Sequence, residues 1–251
     1  MTIRPSLLAA LPLALLAAVA GDAAADRRAF THTYEYLTIA DGETELQLYS
    51  DQRRTTFGDD AVETFGLRLE LGHGITERWE VALRHGFEQT SGPAVTDVVR
   101  LHLTDVELRT RYRFADRGDG PLDLAVQARA AKLFGDSVYV LEGEVILARD
   151  LGLATIAVQP IVRVAVGSDV AGTDVELGWA AGVTYEASAA WKLGAETWGW
   201  VVDELDVVEA SAGPAVSWQP TSRLWVTVTA GFGLDDDTDR LDVRGIVGLA
   251  L

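Results

Sequence analysis

The chain ends in a run in which apolar and polar residues alternate. Leu241, Val243 and Val247 lie at odd positions, whereas Asp242 and Arg244 lie at even positions. A period of two predicts a β-strand with one apolar and one polar face. The same alternation recurs back to residue 43 in runs of roughly ten residues, joined by alternately short and longer connections, which is typical of a transmembrane β-barrel.

Twelve strands are predicted, an even number, as in bacterial single-chain barrels. They lie near residues 43–50, 62–72, 79–89, 100–114, 122–134, 138–149, 153–167, 174–187, 191–204, 207–219, 224–234 and 240–251. The predicted fold class is therefore all-β, an antiparallel up-and-down transmembrane β-barrel of about 12 strands. A soluble exported β-sandwich or barrel is the rival, because alternation alone does not distinguish lipid from a protein core. Its strands would typically be shorter, about five or six residues.

The beginning of the chain has the features of an export signal. A basic residue at Arg4 precedes an apolar run from Leu7 to Ala20, and small residues follow up to Ala25. This order predicts a secretory signal peptide over residues 1–25, cleaved before Asp26 or, alternatively, before Gly21. Residues 26–42 are predicted to form a polar periplasmic lead-in, and residues 43–251 an outer-membrane barrel.

Charge and composition exclude several classes of function. The formal net charge is -17 at pH 7, which disfavours nucleic acid as a partner because phosphate binding needs clustered Lys and Arg. The chain has no Cys, so neither disulfides nor Cys-ligated metals are available. Asp235, Asp237 and Asp239 match the first ligand positions of a calcium loop, but Arg240 and Ile246 occupy the positions that need Gly and Glu. No cofactor or metal is predicted.

The cost of placing charge in lipid decides which face of each strand points inward. In the strand from Val106 to Phe114, Leu108 and Tyr112 share one face, and Arg109 and Arg111 share the other. An Arg facing lipid at mid-depth costs about 2–4 kcal/mol, so the charged face must line the lumen. The same argument, applied to every strand, predicts luminal, selectivity-shaping positions at Arg68, Glu70, Glu80, Arg84, Glu107, Arg109, Arg111, Arg113, Arg129, Glu142, Glu144, Arg163, Glu176, Lys192, Glu196 and Arg244.

Aromatic residues gather near the ends of the predicted strands. Trp and Tyr favour the membrane interface, where the ring is buried and its polar edge is wet. One predicted interface girdle, next to the short turns, consists of Trp79, Phe114, Tyr185, Trp191, Trp218 and Trp225. The opposite ends carry Phe87, Phe134, Tyr139 and Phe232, which could form a second girdle.

A few residues interrupt the regular pattern. Pro160 and Pro214 fall within strands, where each is expected to mark a β-bulge. His85 occupies the apolar face of its strand. Trp198 and Trp200 occupy the polar face, either as anchors at the rim or as an apolar surface for an aromatic substrate inside the channel.

One hairpin resembles a known family. From Leu67 to Leu83 the chain reads LRLELGHGITERWEVAL, two strands joined by a turn of the form Gly-hydrophobic-Thr-acid-Arg-Trp. Gly74 and Thr76 suit the turn, and Trp79 suits the interface. This hairpin is similar to those of outer-membrane barrels of the phenol-degradation MetA-pathway type, which are often called transporters. The resemblance implies transport of a small compound and supplies no site residues.

Three functional hypotheses remain. The first is a non-enzymatic outer-membrane barrel that passes or binds a small solute, with the luminal Arg and Glu residues shaping its selectivity. The second is a hydrolase using His85 or His102 at the outer rim, with Ser91 and Asp97 in the loop between them. The third is a closed structural barrel whose luminal charges pair with one another. Expected partners are outer-membrane lipid, lipopolysaccharide, the barrel assembly machinery and an unidentified solute.

Overall fold

The computed structural model describes residues 28–93, 100–170, 174–202, 207–236 and 238–251. The predicted signal peptide lies outside these residues, as do Asp97 of the hydrolase hypothesis and Asp237 of the calcium-loop comparison.

The described part of the chain forms twelve β-strands that close into a barrel. They are β1 (Thr44–Arg54), β2 (Glu63–Thr76), β3 (Trp79–Ser91), β4 (His102–Arg113), β5 (Asp123–Leu133), β6 (Val138–Leu151), β7 (Ala154–Gly167), β8 (Asp174–Ser188), β9 (Trp191–Val202), β10 (Val207–Trp218), β11 (Leu224–Gly233) and β12 (Leu241–Ala250). Each strand pairs antiparallel with its neighbours in sequence, and β1 pairs with β12. The predicted fold class and strand number are confirmed. Among the described residues, no helix has the length and apolar character to cross a membrane.

The two faces of the sheet differ as the alternation predicts. On β4, the side chain of Leu108 is on the outer surface and the residue is 59% exposed, whereas the neighbouring Arg109 is only 2% exposed. The same contrast separates Leu71 from Glu70 on β2. In a single closed sheet the buried side chains point into the barrel. The charged face therefore lines the lumen, and the apolar face forms the outer surface.

The expected bulges at the two strand prolines are absent from the described ladders. Next to Pro160, the pairs Glu144↔Ile161 and Leu147↔Val158 keep the same register on both sides of a gap in the β6–β7 ladder. The β10–β11 ladder likewise keeps its register across Pro214. Proline lacks an N–H, so it removes a ladder hydrogen bond, but it does not require the extra residue that defines a bulge. Register shifts occur elsewhere, between Gly74 and Thr76, Gly86 and Phe87, and Glu186 and Ser188.

The barrel has a turn end and a loop end. The turn end holds the start of β1, the end of β12 and short connections such as residues 152–153 between β6 and β7. Gly152 adopts φ +67°, a left-handed conformation that this tight turn needs and that side chains disfavour. The loop end holds the longer connections over residues 55–62 and 92–101. Outer-membrane barrels show the same asymmetry between their two ends.

Residues 28–39, here called the luminal segment, lie inside the barrel. The sequence analysis placed them in a polar lead-in outside it. Phe30 and Thr33 have no exposed surface, and the backbone of the segment binds inward-facing side chains of several strands. A polar composition suits both bulk water and a charged lumen, so polarity alone did not distinguish the two locations.

Candidate functional site

The luminal segment runs into the barrel from the turn end and bends back toward it. At the turn end, Thr38 donates its hydroxyl to the carbonyl of Glu77 (2.8 Å), and the N–H of Ile39 donates to Glu80 (2.7 Å). Farther inside, the N–H of Tyr34 donates to Gln159 Oε1 (2.8 Å). The segment then returns, and the carbonyl of Arg28 accepts hydrogen bonds from Ser217 on β10 and Thr227 on β11.

Glu196 on β9 holds the inner bend of the segment. Its carboxylate accepts the backbone N–H groups of Thr31 (2.9 Å), His32 (2.9 Å) and Thr33 (3.0 Å), and also the Thr31 hydroxyl (2.7 Å). The hydroxyl of Thr229 donates to the same carboxylate from the barrel wall. A buried carboxylate that receives several donors is stabilised by charge-assisted hydrogen bonds. The sequence placed Glu196 in the lumen, and the structure shows that it binds the luminal segment.

Apolar contacts also fit the segment to the wall. Phe30 packs with Tyr34, Tyr36 and small wall residues in one buried cluster. Its ring lies over Gly182 of β8, where an added Cβ would come within 2.3 Å of Phe30 Cε1. Gly182 thus leaves the space that the ring fills.

Tyr34 lies among arginine side chains at the centre of the lumen. Its ring centroid is 4.0 Å from the guanidinium carbon of Arg28 and 4.4 Å from that of Arg111, distances typical of cation–π contacts. Its hydroxyl accepts a hydrogen bond from Arg84 Nη2 (3.0 Å). Burial raises the pKa of Tyr34, but Arg84, Arg129 and Arg28 outweigh burial and bring the pKa below its usual value. The segment is thereby tied to the charged wall.

The predicted luminal charges form a network of ion pairs across neighbouring strands. The pairs are Glu70 with Arg84 and Arg109 (both 2.7 Å), Glu80 with Arg109, Arg84 with Glu107 (3.2 Å), Arg129 with Glu142 (3.0 Å) and Glu144, Arg163 with Glu142 (3.1 Å) and Glu176 (3.0 Å), and Asp51 with Arg68 (3.0 Å) and Arg244. These charges pair with one another, and several of them, such as Glu70 and Asp51, have two partners. Their effect on solute selectivity stays a prediction.

Three predicted luminal cations, Arg111, Arg113 and Lys192, contact the luminal segment. Arg111 Nη1 donates to the carbonyl of Leu37 (2.7 Å), and Arg113 Nε donates to the Thr38 hydroxyl (3.1 Å). Lys192 lies 3.9 Å from Glu35 of the segment.

The lumen also contains acidic and amide residues that sequence reasoning did not include. Asp51, Asp242, Glu45, Gln127 and Gln159 are all buried. Asp242, Gln127 and Gln159 share the alternation of the predicted luminal residues on their own strands, so parity could have identified them. Asp51 and Glu45 lie on β1, for which no luminal residue was predicted. The luminal segment has no such alternation that could have shown its place inside the barrel.

Five of the six aromatic residues of the predicted girdle lie on the outer surface at the turn end, and their place at a membrane interface stays a prediction. Trp79, Phe114, Tyr185, Trp191 and Trp218 are exposed on the outer surface near the turns, and Trp191 and Trp218 stack with ring centroids 5.6 Å apart. Trp225 is wrong. It is fully buried in the lumen, where its indole N–H donates to Glu45 (3.1 Å). Its position shares the parity of the buried Thr227 and Thr229, and parity outweighs closeness to a turn.

A cavity of about 700 Å³ occupies the lumen on the loop-end side of the segment. Thr31, His32 and Tyr34 of the segment line one side of it.

Trp198 and Trp200 also line this cavity, so their interpretation as rim anchors is wrong. The His32 ring stacks on Trp198 (3.6 Å between centroids), and the Arg163 guanidinium lies 3.5 Å above Trp200. Toward the turn end, the segment leaves a cavity of about 30 Å³, close to the volume of one water molecule.

The structure does not bring the two rim histidines together. His85 pairs with Val106 on the outer face, beside the exposed Leu83. His102 pairs with Glu88, whose carboxylate faces the lumen and binds Arg53 (3.0 Å). Paired residues share a face of the sheet, so the two histidines lie on opposite faces.

Sequence comparison and structural comparison give different information. No protein-family model matches the chain, and no curated protein matches its sequence. The fold, however, is similar to that of the COG4313 outer membrane channel from Pseudomonas putida F1, with a TM-score of 0.71 and 11% identity over 88% of this chain and 100% of that chain. The KdgM porin has a TM-score of 0.56 and 8% identity over 82% of this chain and 99% of that chain. The NanC porin has a TM-score of 0.55 and 11% identity over 82% of this chain and 98% of that chain.

The chain therefore has the closed β-barrel fold of these outer-membrane channels and porins. At such low identities the likeness establishes the fold alone. The structural neighbours are channels and porins rather than enzymes. Membership of the MetA-pathway family stays a prediction.

Proposed function

We propose that this chain is a non-enzymatic outer-membrane channel that binds or passes a small solute through its charged lumen. The turn end would face the periplasm, and the loop end would face the cell exterior. The observation that carries the proposal is the cavity of about 700 Å³ on the loop-end side, because cavities of about 300–1,000 Å³ accommodate small-molecule ligands.

The luminal segment would be the barrier on the periplasmic side. Six of its anchors are hydrogen bonds to Glu196, Gln159 and Glu80, and water can replace these when the segment moves. The barrel wall is a separate closed sheet, so it need not open for the segment to leave. Passage would thus require displacement of the segment while the twelve strands stay paired.

Planar-bilayer recording tests this proposal. We compare the unaltered chain with a variant that lacks residues 28–39, and both must show the heat-modifiable migration of a folded barrel. The unaltered chain is expected to give small or rare conductance steps, and the deletion variant larger and persistent ones. If neither protein conducts at any voltage, the channel proposal is refuted.

A closed structural barrel is the second candidate, favoured by the pairing of the luminal charges and the burial of the segment. It predicts no conductance from the unaltered chain and no solute binding in the loop-end cavity. The hydrolase hypothesis has less support, because His85 and His102 lie on opposite faces. Replacing each by Ala and finding lost turnover of a lipid or peptide ester would restore it.

A further inference from the structure

We propose that the loop-end cavity binds a small organic cation, a protonated amine, whose ammonium group contacts Asp242 beside the Trp198 ring. This inference rests on the proposed function, since it names the chemical class of the solute that the channel would accept.

Asp242 carries an unused acceptor in this cavity. The residue lies on β12, faces the lumen and is only 7% exposed. In the described part of the chain, its Oδ1 atom has no hydrogen-bond donor. Its Oδ2 atom lies 3.7 Å from His32 Nε2, beyond the range of a hydrogen bond. A buried acceptor without a donor is costly, so a ligand that brings a donor gains from this contact.

His32 does not neutralise Asp242. A guanidinium has only donors, so the contact of Arg244 Nη1 with His32 Nδ1 (3.1 Å) makes Nδ1 the acceptor and leaves the proton on Nε2. Burial, and then Arg244, lower the pKa of His32 well below its usual value. Arg244 itself pairs with Asp51. The ring is therefore neutral, and among the described residues no Lys or Arg forms an ion pair with Asp242.

The rest of the cavity favours a cation over an anion. Its arginines at positions 53, 68, 84, 129, 163 and 244 are each paired with a carboxylate. Asp105, Asp239 and Asp242 line the same cavity, and none of them is paired with a Lys or Arg in the described ranges. An incoming anion would find the arginines already paired, whereas an incoming cation would find carboxylates that form no ion pair with a Lys or Arg of the described residues.

Aromatic rings add a second attraction for a cation. Trp198 and Trp200 line the cavity, and the guanidinium of Arg163 already lies over Trp200 at 3.5 Å. A cation near the face of a Trp ring is attracted by its quadrupole. The His32 ring covers one face of Trp198, and its Nε2 atom lies 3.7 Å from Asp242 Oδ2. An ammonium at Asp242 would thus have its carbon substituents close to an aromatic surface.

Isothermal titration calorimetry of the detergent-purified full chain tests the site with three ligands of similar shape. These are benzylamine, which is cationic, benzyl alcohol, which is neutral, and benzoate, which is anionic. Benzylamine is expected to bind at least about tenfold more tightly than the other two, a difference of one charge-assisted hydrogen bond. Equal affinity for all three ligands, or tighter binding of benzoate, would overturn the proposal. This series uses the unaltered chain and needs no variant to fold.

A matched pair of variants locates the site. Asp242→Asn keeps the size of the side chain and removes its charge, and is expected to weaken benzylamine binding by about tenfold or more. Asp59→Asn removes the same charge from an exposed loop-end position outside the cavity and should leave affinity unchanged. Equal weakening in both variants, or unchanged affinity in both, would refute the assignment to Asp242.

The two proposals fail in different ways. A chain that conducts in bilayers but does not bind benzylamine refutes this inference and leaves the channel in place. A chain that binds benzylamine through Asp242 but never conducts, with or without residues 28–39, refutes the channel and leaves the binding site.

Discussion

Removing the carboxylate of Glu196 should release the luminal segment without opening the barrel. Glu196→Ala deprives the N–H groups of Thr31, His32 and Thr33 of their acceptor. At about 1 kcal/mol for each unsatisfied donor, the lower end of the usual range, the docked state loses about 3 kcal/mol. This is a shift of roughly 100-fold toward the undocked state.

Hydrogen–deuterium exchange measured by mass spectrometry reads this shift directly. Peptides that cover residues 28–39 should lose protection in Glu196→Ala by about the same factor of roughly 100, because exchange reports the free energy of local opening. Peptides from the barrel strands should stay protected, since the ladders of β8, β9 and β10 do not depend on this side chain.

Glu176→Ala is the matched control. Glu176 is also a luminal glutamate, and it pairs with Arg163 on the wall at 3.0 Å. Its removal should leave the protection of residues 28–39 unchanged. The reasoning is refuted if Glu196→Ala leaves that protection intact, or if Glu176→Ala removes it to the same degree.

Three further outcomes are expected. Quenching of Trp fluorescence by brominated lipid should fall when Trp218 is replaced by Phe but not when Trp225 is, and equal losses would contradict the luminal position of Trp225. Arg109→Met should lower the free energy of unfolding by about 3–5 kcal/mol in urea titrations, because two buried carboxylates lose a partner, and a loss under 1 kcal/mol would contradict this. The lowered pKa of His32 means that docking favours the neutral ring, so exchange protection of residues 28–39 should be full above about pH 6.5 and decline below it. His32→Asn should remove that decline, and an unchanged decline would assign it to another group.

The strands were predictable because a sheet between lipid and a polar lumen forces a period of two on the sequence. On β4, the alternation of Leu108 with Arg109 specifies both the strand and its orientation. Trp225 was misplaced because closeness to a turn was weighed above the parity that it shares with Thr227. For Trp198 and Trp200, a place at the rim was weighed against one inside the channel, and the structure follows their inward parity.

The luminal segment could not be predicted in the same way. Two of its backbone partners, Glu196 and Gln159, lie more than a hundred positions away in sequence, and the segment has no regular secondary structure whose period could mark it. The surroundings of Asp242, whose Oδ1 has no hydrogen-bond donor in the described part of the chain, likewise depend on the position of His32 in the folded barrel. Such contacts follow from closure of the barrel around the segment, which local sequence patterns do not encode.

The central claim is that residues 28–39 fill the lumen toward the turn end, and cysteine labelling tests it most directly. The chain has no Cys, so single substitutions give an unambiguous signal. Thr33→Cys lies in the buried segment, and Phe57→Cys lies on an exposed loop. In folded protein, a membrane-impermeant maleimide should label position 57 rapidly and position 33 only after denaturation. Equal labelling rates at the two positions would show that the segment is not in the lumen.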